Sequence, residues 1–213
     1  MTVTDVAEKQ LSRTSWSRRV RRVGGLIQAG FAAFWLLRGS LVLGGAVAIV
    51  LIAVFGVIVI GVFSYGIRAT ARIAPRPKGP QAKRIERDVT LATVIQLVAS
   101  FALPFAVIGA GHSDWVLPSI AVTIGPLLLW LDRRVDVPRY RPVGWALIVG
   151  PAILVASMSG TLLIATTGIA AGVLLLGTAF AGFRDLAGAR RRAERARAGA
   201  RAGARGVIVG APA

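Results

Sequence analysis

Residues 41–67 read LVLGGAVAIVLIAVFGVIVIGVFSYGI, and residues 68–88, which follow directly, read RATARIAPRPKGPQAKRIERD. The first stretch has no charged side chain. It is longer than the ~20 apolar residues a helix needs to cross a ~30 Å hydrocarbon core. The second carries seven Lys and Arg residues, with Pro75, Pro77 and Pro80 breaking regular helix in its middle. An uncharged span that runs into a basic loop reads as a membrane helix meeting its cytoplasmic flank.

The same alternation runs through all 213 residues. The polar segment 1–21 ends in Arg18, Arg19 and Arg21. Spans follow at roughly 22–38 and 41–65, divided at Arg38-Gly39-Ser40. The third runs over about 89–110, the fourth 115–131, the fifth 143–158 and the sixth 161–183. Short turns lie at Gly111-His112-Ser113-Asp114 and Ser157-Met158-Ser159-Gly160, and a second basic loop lies at 132–142. The expected fold is therefore an all-α polytopic bundle, residues 22–183, with six spans. The alternative is five spans plus an interfacial helix at 22–38, because that segment is short and weakly apolar. The tail 184–213 holds eight arginines and an Ala-Gly-Ala-Arg repeat. Gly199, Gly203 and Gly206 argue against stable helix there, so disorder is expected.

Charge orients the bundle. Of the 26 Lys and Arg residues, all but Arg38 fall in residues 1–22, the two basic loops and the C-terminal tail. Six spans put those four segments on one side. The positive-inside rule then places both termini in the cytoplasm of a bacterial plasma membrane. Ser17-Arg18-Arg19 resembles a twin-arginine signal, but Arg21 and Arg22 fall where such a signal turns apolar, so the first span reads as an uncleaved anchor. Trp35 and Trp115 are expected at the outer boundary, and Trp16, Tyr65, Trp130, Tyr140 and Trp145 near the inner one.

A net charge of +17 would suggest nucleic acid in a soluble protein. Here membrane topology accounts for it, and the aromatics that stack single-stranded nucleic acid are not interleaved with the arginines. The expected partners are the bilayer, with anionic lipid headgroups at the basic segments, and a second copy or another membrane protein. With no cysteine and the single histidine His112, thiolate chemistry and a histidine-rich metal site are excluded within one chain. No catalytic, cofactor or metal signature is present, and no enzymatic activity or cofactor is expected.

Two stripes could still carry function. Thr93, Gln96 and Ser100 share one face of the third helix, with Gln96 near mid-span. They would line a solute path or, more plainly, bond to neighbouring helices, because lipid offers an amide no partner. Gln28 of the first helix is a candidate partner for Gln96. Gly168 and Gly172 form a Gly-x-x-x-Gly helix-packing face on the sixth, serving packing within the chain or a homodimer. Pro104, Pro126 and Pro151 lie inside spans without a membrane-centre charge, which weakens an ion-coupled transport reading. His112 and Asp114 read as a solvated turn, with Asp114 capping the helix that follows. Asp132, Arg133, Arg134 and Asp136 read as a solvated loop with local ion pairs of little worth.

In its abundance of Ala, Gly, Val and Arg along the whole length, the chain resembles the small multi-pass membrane proteins of actinobacteria. The block from Gly125-Pro126-Leu127 through Tyr140 to Gly144 resembles bacterial membrane families of unknown function. Those carry Gly-x-His-Phe where this chain has Pro126-Leu127-Leu128. The resemblance implies a plasma-membrane bundle and assigns no site residue. The expected role is a structural or accessory membrane component. The alternative is a small-solute permease or channel lined by the third helix.

Overall fold

The computed structural model describes the backbone of residues 3–70, 80–135, 137 and 139–209. Its side chains are described within 22–195, apart from 70–79, 81, 82, 135, 136, 138 and 193. Six α-helices follow one another: α1 Val3–Leu41, α2 Gly45–Thr70, α3 Pro80–Gly109, α4 Val116–Val135, α5 Tyr140–Ser157 and α6 Gly160–Val209. A short 3-10 turn, Ser113–Trp115, precedes α4. Among the described residues there is no strand. Five helices, α2 to α6, are long and apolar enough to cross a membrane. In α1 that character is diluted by Arg22, Gln28 and Arg38 and by four glycines between 24 and 39.

The central pair is α1 and α6. They run antiparallel: Gly25 faces Phe183, Leu36 lies against Gly172, and Gly39 lies against Gly168. The matched length is about 21 Å at ~1.5 Å per residue. Small residues make the approach possible. A methyl group on Gly39 would sit 2.8 Å from the Ile169 backbone nitrogen, and one on Gly168 would sit 2.7 Å from Gly39 Cα. Phe183 is fully buried in the space that Gly25 and Gly66 leave open. Ala29, Ala32, Trp35 and Leu36 complete the buried face of α1. Its opposite face exposes Val23, Ile27, Phe31, Phe34, Leu37 and Leu41. The segment 22–38 therefore lies along α6 and not across the end of the bundle.

The other helices surround this pair. α2 packs on both members, and the α4–α5 hairpin packs on α6. Gly125 of α4 and Gly144 of α5 meet backbone to backbone, so a methyl group on Gly125 would lie 2.7 Å from the Gly144 oxygen. α3 leans mainly on α4, and its membrane-length window contains no buried residue.

Several boundaries differ from the sequence expectation. The first reversal is not at Arg38-Gly39-Ser40 but at 42–44, where Gly44 (φ +67°) and Gly45 (φ +55°) take the left-handed conformation. Gly39 stays helical because tight packing on α6, not a turn, uses its missing side chain. α3 starts nine residues early, since Pro80 suits a first helical turn and the Lys, Arg and Glu that follow are good helix formers. The prolines Pro75 and Pro77 lie outside the described residues. α6 continues as helix to Val209, where the sequence reading has a disordered tail. The Ala and Arg of that stretch favour helix more than its glycines oppose it, and Arg190 pairs with Glu194 one turn on at 2.7 Å. Trp35, expected at the headgroups, is 1% exposed and belongs to the core.

Candidate functional site: a cleft walled by the third helix

The polar stripe of α3 divides in two. Gln96 Nε2 donates to Ser100 Oγ at 2.9 Å. Ser100 Oγ lies 2.7 Å from Thr123 Oγ1 of α4, and Thr123 donates to the Ile120 carbonyl at 2.8 Å. Since Thr123 spends its proton on Ile120, Ser100 is the donor to Thr123. Each hydroxyl then gives one hydrogen bond and receives one, so the relay runs Gln96 to Ser100 to Thr123 to backbone without an orphan. Thr93 turns inward on its own helix and donates to the Val89 carbonyl at 2.8 Å. Ser100 is thus joined to α4. Thr93 and Gln96 instead line a cleft of about 300 Å³ between α1, α3 and α4, floored by Leu175 of α6.

The cleft is apolar for most of its length, with Ile27, Phe31, Leu97, Leu127 and Leu128 on its walls. Gln28 and Gln96 both line it, but they do not bond. Gln28 is 8% exposed, and its Oε1 is buried with no hydrogen-bond partner. A second, smaller pocket of about 40 Å³ adjoins at the end where Arg22, Arg133 and Arg184 lie. Gln28 and Tyr140 line both spaces. Here Arg139, just before α5, donates through Nη2 to Asp185 Oδ1 of α6 at 2.8 Å. The other terminal nitrogen, Nη1, is buried with no partner. Thr178, which donates to the Leu174 carbonyl at 2.7 Å, lines the same pocket. One stranded acceptor and one stranded donor thus belong to residues that line the same small, mostly apolar pocket, which adjoins the larger cleft.

α3 has a second attachment at the basic end. Arg134 pairs with Asp88 at 3.1 Å. The mixed-charge cluster, whose Asp132, Arg133 and Arg134 belong to the end of α4 and not to a loop, is therefore in part an interhelical tie, while Asp136 lies outside the described residues. At the opposite end, Asp114 does not cap its own helix. Its Oδ2 accepts the Gly160 N–H at 3.0 Å, which ties the two short turns together at the first residue of α6. His112, which precedes the 3-10 turn, makes no side-chain capping hydrogen bond. His112 stacks on Trp115 with ring centroids 4.2 Å apart.

Gly168 and Gly172 face α1 of the same chain. Sequence reasoning did not single out Arg139, Tyr140, Thr178 or Asp185 as site residues. Asp185 carried a signal, as the one acid among the first arginines after the last span. Among the described residues no group of three or more His, Asp or Glu could hold a metal ion. Comparison with protein-family models, with curated proteins and with solved structures found no match.

Proposed function

We propose that this is a multi-pass protein of a bacterial plasma membrane, with both ends cytoplasmic, acting as a structural or accessory component and not as an enzyme. Two features support the orientation. The basic residues described at the helix ends, among them Arg22, Arg68, Arg134 and Arg184, lie away from the two short turns, and α1 shares the depth of α6 from Gly25 to Gly39. A helix packed antiparallel along a crossing helix crosses with it. That makes six crossings, an even number, and returns the C-terminus to the side of the N-terminus. The accessory reading is carried by the closed relay from Gln96 through Ser100 to Thr123. Polar groups that satisfy one another across two helices hold a bundle together in lipid.

The second reading, a small-solute permease, draws on one observation: Thr93 and Gln96 also face the cleft. Gln96→Leu separates the two. The expected result in proteoliposomes is a lowered unfolding temperature, with passage of small neutral solutes at the level of protein-free vesicles for both forms. Flux above that level in the wild type, lost in Gln96→Leu at unchanged unfolding temperature, would establish the permease instead.

A further inference from the structure

We propose that the cleft and its adjoining pocket form a binding site for one anionic phospholipid, its headgroup on Arg139 and Gln28 and one acyl chain between α1, α3 and α4. The proposal rests on the orientation above, with the basic end at the cytoplasmic leaflet.

Three observations support it. The first is the pair of stranded atoms. Arg139 Nη1 donates and needs an anionic or neutral oxygen. Gln28 Oε1 only accepts and needs a hydroxyl or ammonium donor. Burying either without a partner costs free energy. A headgroup that combines a phosphate oxygen with a hydroxyl answers both.

The second is the join between the two cavities. Gln28 and Tyr140 belong to both cavities. The small pocket lies level with Gly25, Gly182 and Asp185, where α1 and α6 meet the basic segments. From there the larger cleft runs inward past Ile27 to Phe31 and Leu97. Val23 to Phe31 spans about 12 Å along α1 at ~1.5 Å per residue. One leaflet of a ~30 Å core is about 15 Å deep, so an acyl chain from that leaflet fits the path.

The third is charge. At this end, from Arg22 to Asp185, ten described Lys and Arg residues face four Asp and Glu. Such a surface concentrates anionic lipid before any specific contact forms. α3, with nothing buried in its membrane-length window, is the wall able to part and admit a chain from the side.

The test is native mass spectrometry of the full chain, reconstituted with phosphatidylglycerol or phosphatidylcholine and then extracted in mild detergent. Phosphatidylglycerol supplies phosphate and hydroxyl; phosphatidylcholine has no donor for Gln28. We expect one retained phosphatidylglycerol per chain and at least fivefold less phosphatidylcholine. Ile27→Trp fills the cleft from a position 54% exposed, so the variant folds, and retention should fall at least fivefold. Arg139→Gln should do the same. If that variant fails to fold, Ile27→Trp decides alone.

Neutralising Arg190, Arg191 and Arg192 to Gln should leave retention unchanged. Equal retention of both lipids, full retention in Ile27→Trp, or loss in the tail variant would overturn the proposal. Displacement of the lipid by glycerol 3-phosphate would also overturn it, by assigning the pocket to a free phosphate compound. Failure of the accessory reading looks different, since solute flux sensitive to Gln96→Leu says nothing of which lipid is retained.

Discussion

Gly39 shows how much one residue decides. With Arg38 before it and Ser40 after it, its local sequence has the look of a turn, and the sequence reading divides two helices there. In the structure the residue is helical and pressed on Ala165, Gly168 and Ile169. Its role depends on a partner more than 120 residues away, so no local window contains the information. Gly168→Val forces a branched side chain against the Gly39 backbone, which has no room to yield. Overpacking of this kind costs about 1–3 kcal/mol, and thermal unfolding in detergent should show a lowered midpoint. Gly30 is the contrast. Nothing lies within 4 Å of a methyl group there. Gly30→Ala should therefore be neutral or stabilising by up to about 1 kcal/mol, since Ala is the better helix former. Equal effects at the two positions would contradict the backbone contact of α1 and α6.

Among the elements, α3 is held least. Its ties to α4 include one hydroxyl relay and one ion pair with both partners partly exposed, the latter worth little. Thr123→Val keeps the shape of the α4 surface and leaves the Ser100 proton without its acceptor. Interhelical bonds of this type are worth about 0.6–2 kcal/mol. Amide hydrogen exchange in α3 should then rise while α6 stays protected; uniform change across both helices would show that α3 is not a separately opening element. At the other end, Asp114→Ala removes the cap on Gly160. The cost of a lost N-cap is about 1 kcal/mol, read as a lower unfolding midpoint with early fraying of the first turn of α6. Half of the α3 site was legible. Thr93, Gln96 and Ser100 stand out as polar residues on an apolar helix, because lipid makes any such group costly unless it is satisfied. Thr123 was not legible, since a lone threonine near a proline has no periodicity to mark it.

For the whole molecule, topology is the property to measure first. The chain has no cysteine, so single cysteines at Ser12, Gly79, Ser113 and Ser159 report without background. An impermeant maleimide on intact cells should label Ser113→Cys and Ser159→Cys and spare the other two. Labelling at Ser12→Cys would show that α1 does not cross with α6, and would remove the depth argument for the lipid site. What the sequence by itself determined is the partition of the chain: which segments are apolar enough for lipid, which are basic, and so how many helices form. Those properties are local sums over ~20 residues, and burial in lipid or water reads them directly. Only the tertiary structure decided which helices touch, that α1 pairs with α6, and that Arg139, Asp185 and Gln28 meet at one pocket. The reason is physical. In lipid an apolar side chain gains little by leaving the solvent, so helix pairing is set by close packing and stranded polar atoms. Those depend on complementary surfaces far apart in the chain and leave no periodic trace in either one.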